Sequence, residues 1–111
     1  MASADFFIAQ GNRLPSFERV LIGRDRQVID LTGASVQFQM RGPDGCGARA
    51  VSAPAVIVDA RAGFVRYDWA DNDTATPGFY VASWKITFAS GLVEDVPDDD
   101  YDRVRIRPKL G

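Results

Sequence analysis

Apolar residues recur at every second position along this chain, in short runs that glycine or proline soon interrupts. No other feature constrains the fold as much. Val36, Phe38 and Met40 alternate with Gln37, Gln39 and Arg41. Tyr80, Ala82, Trp84, Ile86 and Phe88 alternate with Val81, Ser83, Lys85 and Thr87. Residues i and i+2 of a strand share a face, so each run predicts a strand with a dry side and a wet side. No segment keeps a helical period over the roughly 11 residues a helix needs. The breaks fall at Gly11-Asn12, Pro15, Gly23, Gly33, Gly42-Pro43, Gly63, Pro77-Gly78, Gly91 and Pro97.

These marks predict strands over residues 5–9, 17–22, 35–41, 64–69, 80–88, 92–96 and 101–107, with a short one at 28–31. Residues 49–58 hold one or two more, interrupted by Pro54. Proline removes a ladder donor, which places that stretch at a sheet edge. Seven to nine short strands at this spacing predict a sandwich or a barrel. With 111 residues the chain is one domain (1–111), with 1–4 and 108–111 as loose ends.

One segment selects the sandwich. Asp73-Thr74-Ala75-Thr76-Pro77-Gly78-Phe79-Tyr80 has the form of an immunoglobulin corner. In that corner an acidic turn precedes a Tyr near the start of the penultimate strand. The Tyr hydroxyl bonds back to upstream backbone, and the residue two later points into the core. Asp73 and Tyr80 are therefore the expected structural corner. Ala82 takes the place where disulfide-bonded sandwiches carry Cys, and Phe38 fills the place of the core Trp. The fold expected is an all-β, immunoglobulin-like sandwich with antiparallel strands and no disulfide.

Composition removes most chemistry. There is no His and a single Cys, Cys46, in a glycine-rich turn. Ser-His-Asp and Cys-His catalysis and zinc sites built from Cys and His are excluded. A net charge of −2 offers no global basic field for nucleic acid. No apolar run approaches a membrane span, and residues 1–5 lack the basic start of a signal peptide. The chain is expected to be made in the cytoplasm, to bind no cofactor and to be no enzyme.

Three groups are candidate sites. The acidic stretch from Glu94 to Asp102 carries clustered carboxylates but lacks the spacing of a calcium loop, and reads as a solvated loop. Asp71 and Asp73 read as turn-making residues, and Asp68 as a lone acid rather than half of a hydrolytic pair. Arg103, Arg105 and Arg107 form a one-face basic stripe on the last strand. The stripe serves either to bind an acidic partner surface or to protect an exposed strand edge. Phe79 points away from Tyr80 and is a second candidate contact, as is one of Phe6 and Phe7. Trp69 and Trp84 read as core.

Taken in order, several segments resemble the N-terminal immunoglobulin-like domain of phage baseplate upper proteins, which also occurs in other tail and virion proteins. They are Ile8-Ala9-Gln10-Gly11-Asn12, then residues 30–41, Gly63-Phe64-Val65-Arg66-Tyr67-Asp68-Trp69, residues 73–80 and Trp84-Lys85-Ile86-Thr87-Phe88. Glu94, Pro97 and the turn to Tyr101 complete the set. The resemblance implies a β-sandwich that docks onto other virion proteins as part of a symmetric homo-oligomer and does no chemistry. It carries over no functional residue. Relatives often continue into a helical linker; this chain ends at Gly111, so the expected role extends to a tail, neck or capsid-decorating subunit. A carbohydrate- or receptor-binding module is the alternative.

Overall fold

The computed structural model describes residues 5–42, 51–97 and 101–110. Those residues hold nine strands and no helix. They are β1 (Asp5–Ala9), β2 (Phe17–Val20), β3 (Ser35–Arg41), β4 (Val51–Pro54), β5 (Val56–Asp59), β6 (Phe64–Tyr67), β7 (Gly78–Thr87), β8 (Val93–Val96) and β9 (Asp102–Arg107). Two sheets pack face to face as an immunoglobulin-like sandwich. The larger runs β1-β9-β7-β3-β4, with β8 also paired to β7; the smaller runs β2-β6-β5.

The alternation read from the sequence is the alternation of burial. Val36, Phe38 and Met40 of β3 face inward beside Ile86, Trp84 and Ala82 of β7, their register partners. Val65 and Tyr67 line the core from β6, and Trp69 follows just beyond that strand. Phe38 is the hub. It stacks on Tyr67 at 4.4 Å and meets Trp84 at 4.9 Å and Trp69 at 5.8 Å. Phe17 closes the cluster from β2, with Phe6 of β1 stacked on it at 4.7 Å. Such ring pairs each add about 0.5–1.5 kcal/mol beyond the area they bury. Phe38 therefore does the packing expected of a core Trp.

Pro54 ends β4 at one edge of the large sheet, and β5 forms an edge of the small one, so the proline separates two strands that belong to different sheets. The expected strand at 28–31 is absent. Only Val28 bridges Ile22, because the backbone of that stretch is used elsewhere. Ile29 N–H donates to the Leu21 carbonyl and Leu31 N–H to Ala60. Gly63 sits beneath this segment with φ +65°, and a Cβ there would come within 2.8 Å of the Ile29 carbonyl. Glycine alone satisfies both the left-handed backbone and the close approach.

β8 and β9 lie on the same side of β7, end to end. β8 pairs with its second half (Trp84 to Thr87) and β9 with its first half (Gly78 to Ala82). On its other side β9 pairs in parallel with β1. This topology decides where the last strand's side chains go.

Candidate docking surface

β9 alternates strictly between Asp102, Val104 and Ile106, all buried, and Arg103, Arg105 and Arg107, all exposed. Strands β1 and β7 flank it, so its arginines stand in the middle of an outer face. That corrects one of the two roles considered for the stripe: β9 is not an exposed edge, and its charges do not guard one. Register builds rows across the three strands. Phe7, Arg105 and Phe79 form one row, and Asp5, Arg103 and Val81 the next.

The first row exposes two aromatic rings on either side of an arginine. Phe7 is 60% exposed and Phe79 64%. The Arg105 guanidinium carbon lies 4.8 Å from the centre of the Phe79 ring. An exposed cation–π contact of this kind contributes about 0.5–1 kcal/mol. Arg103 reaches Asp5 at 3.5 Å across exposed side chains. Between the rings lies a shallow depression of about 390 Å³, lined by Phe7, Phe79, Val81, Arg103 and Arg105 among others. Phe6, by contrast, turns inward onto Phe17 and Trp69.

The corner is built as expected at Tyr80. Its hydroxyl donates to the Thr76 carbonyl at 2.7 Å, and Ala82 is buried two residues on. Burial pushes the Tyr80 phenol above its ordinary pKa. Asp73 serves a different tyrosine. Its carboxylate accepts from the Tyr67 hydroxyl at 2.5 Å and from Ala70 N–H at 2.9 Å, closing the turn that follows β6.

The acidic stretch is not solvated throughout. Asp102 is fully buried and accepts from Arg19 Nε at 2.9 Å, Arg19 Nη2 at 2.8 Å and Trp84 Nε1 at 2.9 Å. Arg19 lies on β2, so this pair ties the two sheets together. Strand parity signals it: Asp102 shares a face with Val104 and Ile106, and Arg19 shares one with Phe17 and Leu21. Glu94 is half-buried and Asp95 exposed. Residues 98–100 and Cys46 lie outside the described residues.

Asp71 pairs with Arg13 at 3.0 Å. Asp68 accepts from Ser16 at 2.8 Å and from Arg66, and these bonds hold its carboxyl below the ordinary carboxylate value. A general acid needs a raised pKa, so Asp68 is poised the wrong way for one. Among the described residues, no group of three or more acidic or thiol side chains is placed to hold a metal ion.

No family model matches the chain, and no curated protein matches it in sequence. Solved structures match its fold. One is CopC from Methylosinus trichosporium OB3b, at 12% identity and a TM-score of 0.56, covering 98% of this chain and 89% of that one. Another is the N-terminal domain of ORF48 of phage TP901-1, at 17% identity and a TM-score of 0.58, covering 96% and 85%. At such identities the likeness is one of fold. It places the chain in a sandwich architecture that a phage protein uses as its N-terminal domain.

Proposed function

We propose that this chain is a bacteriophage virion structural protein that acts by docking onto other virion proteins, in the tail, baseplate, neck or capsid decoration, and does no catalysis. One observation carries the reading: the row Phe7–Arg105–Phe79, apolar and cationic, stands on the outer face of an otherwise satisfied domain. Exposed aromatics beside arginine are the side chains that anchor protein interfaces. Among the described residues, the buried polar groups are committed to structure. Asp102, Asp73 and Thr74 all have hydrogen-bond partners within the fold. The fold shared with the N-terminal domain of a phage protein supports the same reading.

A host-carbohydrate module is the weaker alternative. Flat indole surfaces suit sugar faces, and both tryptophans are buried here, at 1% and 0% exposure. The test is the composition of purified particles. Mass spectrometry of intact phage should find this chain, and Arg103→Glu/Arg105→Glu should reduce its incorporation while leaving the domain folded. Particles that lack the chain, or turnover of any substrate by it, refute the proposal.

A further inference from the structure

A strand at the edge of a sheet offers unpaired backbone to another chain unless something guards it. Among the described residues, β4, β5, β2 and β8 each carry a guard. β4 ends in Pro54, which lacks a ladder donor. β5 carries a bulge, where its register with β6 shifts between Ile57 and Asp59. β2 has 4 residues and turns the charged Arg19 inward onto Asp102. β8 also has 4 residues and presents Glu94 and Asp95. β1 has none of these devices. It contains no proline and no inward charge, and its register with β9 is unbroken from Asp5↔Arg103 to Ala9↔Arg107. Among the described residues no strand pairs with its other side, and Phe7 stands 60% exposed there.

The strand that fits this edge is β1 itself. Gln10 N–H donates to the Arg107 carbonyl at 2.8 Å. Backbone groups alternate in direction along a strand, so Phe6 and Ile8 also face β9. The N–H and carbonyl of Phe7 and the N–H of Ala9 therefore face away from it. Turned antiparallel about a two-fold axis at Phe7, a second β1 sets Phe7 opposite Phe7 and Asp5 opposite Ala9. The two Phe7 residues then exchange both backbone bonds, and each Ala9 N–H donates to the Asp5 carbonyl of the other chain. The side chains agree with this register. Ala9 is small, and its row neighbour Arg107 is exposed and has no ion pair among the described residues. Asp5 of the second copy lies two strand spacings from Arg107, roughly 10 Å between backbones and within the joint reach of the two side chains. Each Asp5 then sits between Arg103 of its own chain, 3.5 Å away, and Arg107 of the other. We propose that β1 is a dimer edge, to which a second copy of this chain adds its own β1 and joins the two large sheets into one. The contact is isologous and closes at two copies. It goes beyond the docking reading: the outer face stays open, and two Phe79–Arg105–Phe7 rows lie end to end for a virion partner to meet.

Sedimentation analysis of the wild-type chain should show monomer passing to dimer as concentration rises, with nothing larger. Phe7→Pro removes an N–H that faces away from β9, so it spares the β1–β9 ladder and strikes only the added one. Two backbone bonds go at the two-fold axis, and association should weaken by about thirtyfold or more. Phe7→Thr keeps those bonds and loses only the ring pair, so it should weaken association by no more than about fivefold. Asp5→Lys should weaken it by about tenfold, and Asp5→Lys/Arg107→Glu should restore it. Circular dichroism identifies any variant that fails to fold. Amide exchange in the wild-type chain then carries the same test. Phe7 and Ala9 should gain protection as concentration rises, while Phe6 and Ile8, bonded to β9, are protected throughout.

A wild-type chain that stays monomeric to about 1 mM overturns the proposal. So does a dimer that a folded Phe7→Pro variant leaves intact, or one in which the Phe7 and Ala9 amides exchange freely. The docking reading is judged separately, on particles. If the chain is monomeric and Arg103→Glu/Arg105→Glu still lowers its incorporation, that reading stands and the edge pairing is the part that falls.

Discussion

Replacing Asp102 should be among the most damaging single changes this domain can suffer. Its carboxylate lies at zero exposure between the sheets and accepts from Arg19 Nε and Nη2 and from Trp84 Nε1. Arg19 is itself only 10% exposed in its side chain. Asp102→Ala removes the buried carboxylate that the Arg19 guanidinium grips with two nitrogens, a loss of about 3–5 kcal/mol. A small domain has roughly 5–15 kcal/mol in total, so the variant stands close to unfolding. With a urea m-value of about 1–1.5 kcal/mol/M, the midpoint should drop by about 2–5 M. Removing the charge from both sides should repair much of this. Arg19→Met/Asp102→Asn retains an oxygen for the Trp84 N–H and strands no ion, so it should be more stable than Asp102→Ala alone. Urea titrations followed by tryptophan fluorescence and far-UV circular dichroism measure both. An Asp102→Ala variant within about 1 kcal/mol of the parent, or a double variant no better than it, would refute the claim that an ion pair clamps the sheets.

Tyr80→Phe should cost about 1 kcal/mol, the ordinary net worth of the hydrogen bond to Thr76, and a variant as stable as the parent removes the corner argument. Because the Tyr80 phenol titrates above its ordinary value in the fold, its contribution is complete below pH 10 and fades as the pH climbs past it; denaturation midpoints between pH 9 and 12 should fall less steeply in Tyr80→Phe. At the acid end, Asp30 is lowered by its bonds from Thr32, and Asp68 by Ser16 and Arg66. Their stabilisation is present above the ordinary carboxylate value of about 4 and disappears as the pH falls below it, so Asp30→Asn/Asp68→Asn should flatten the acid limb of the same titration. Cys46→Ser should change neither stability nor assembly, as a lone thiol in a chain without His would predict; loss of either shows that the thiol has a role.

The core was legible because strand parity is a local property. Phe38, Trp84, Val104 and Ile106 each declare their face through neighbours two residues away, and the sheet obeys them. The same rule, applied to charged residues, would have found Arg19 and Asp102. Both sit at inward positions, and a charge at an inward position must be paired to be there. Composition hid them, since Asp102 ends a run of acids that reads as solvent-facing. Asp73 shows the converse limit. A turn motif identifies an acid that closes a turn, but which tyrosine it meets depends on β6, whose Tyr67 arrives from the preceding strand.

Pairing between distant strands is where local reading stops. The stripe on β9 was visible in sequence, whereas its position in the sheet was not. No pattern within residues 102–107 says that residues 5–9 will lie parallel beside them. That one pairing changes what the arginines can do. On a free edge, alternating cations repel another strand and keep the protein monomeric. Behind β1 they cannot act on an edge at all, and Arg105 is instead set between Phe7 and Phe79 in a row that no hydrogen-bond ladder requires. Two exposed phenyl rings cost solubility without helping the core, and Phe6 shows that an adjacent ring on the same strand can pack half-buried against the core. The argument for docking therefore lies less in the arginines than in the rings beside them. Replacing Phe7 and Phe79 by Ser should leave the fold intact and its solubility raised, and should reduce incorporation into particles more than removing any one arginine.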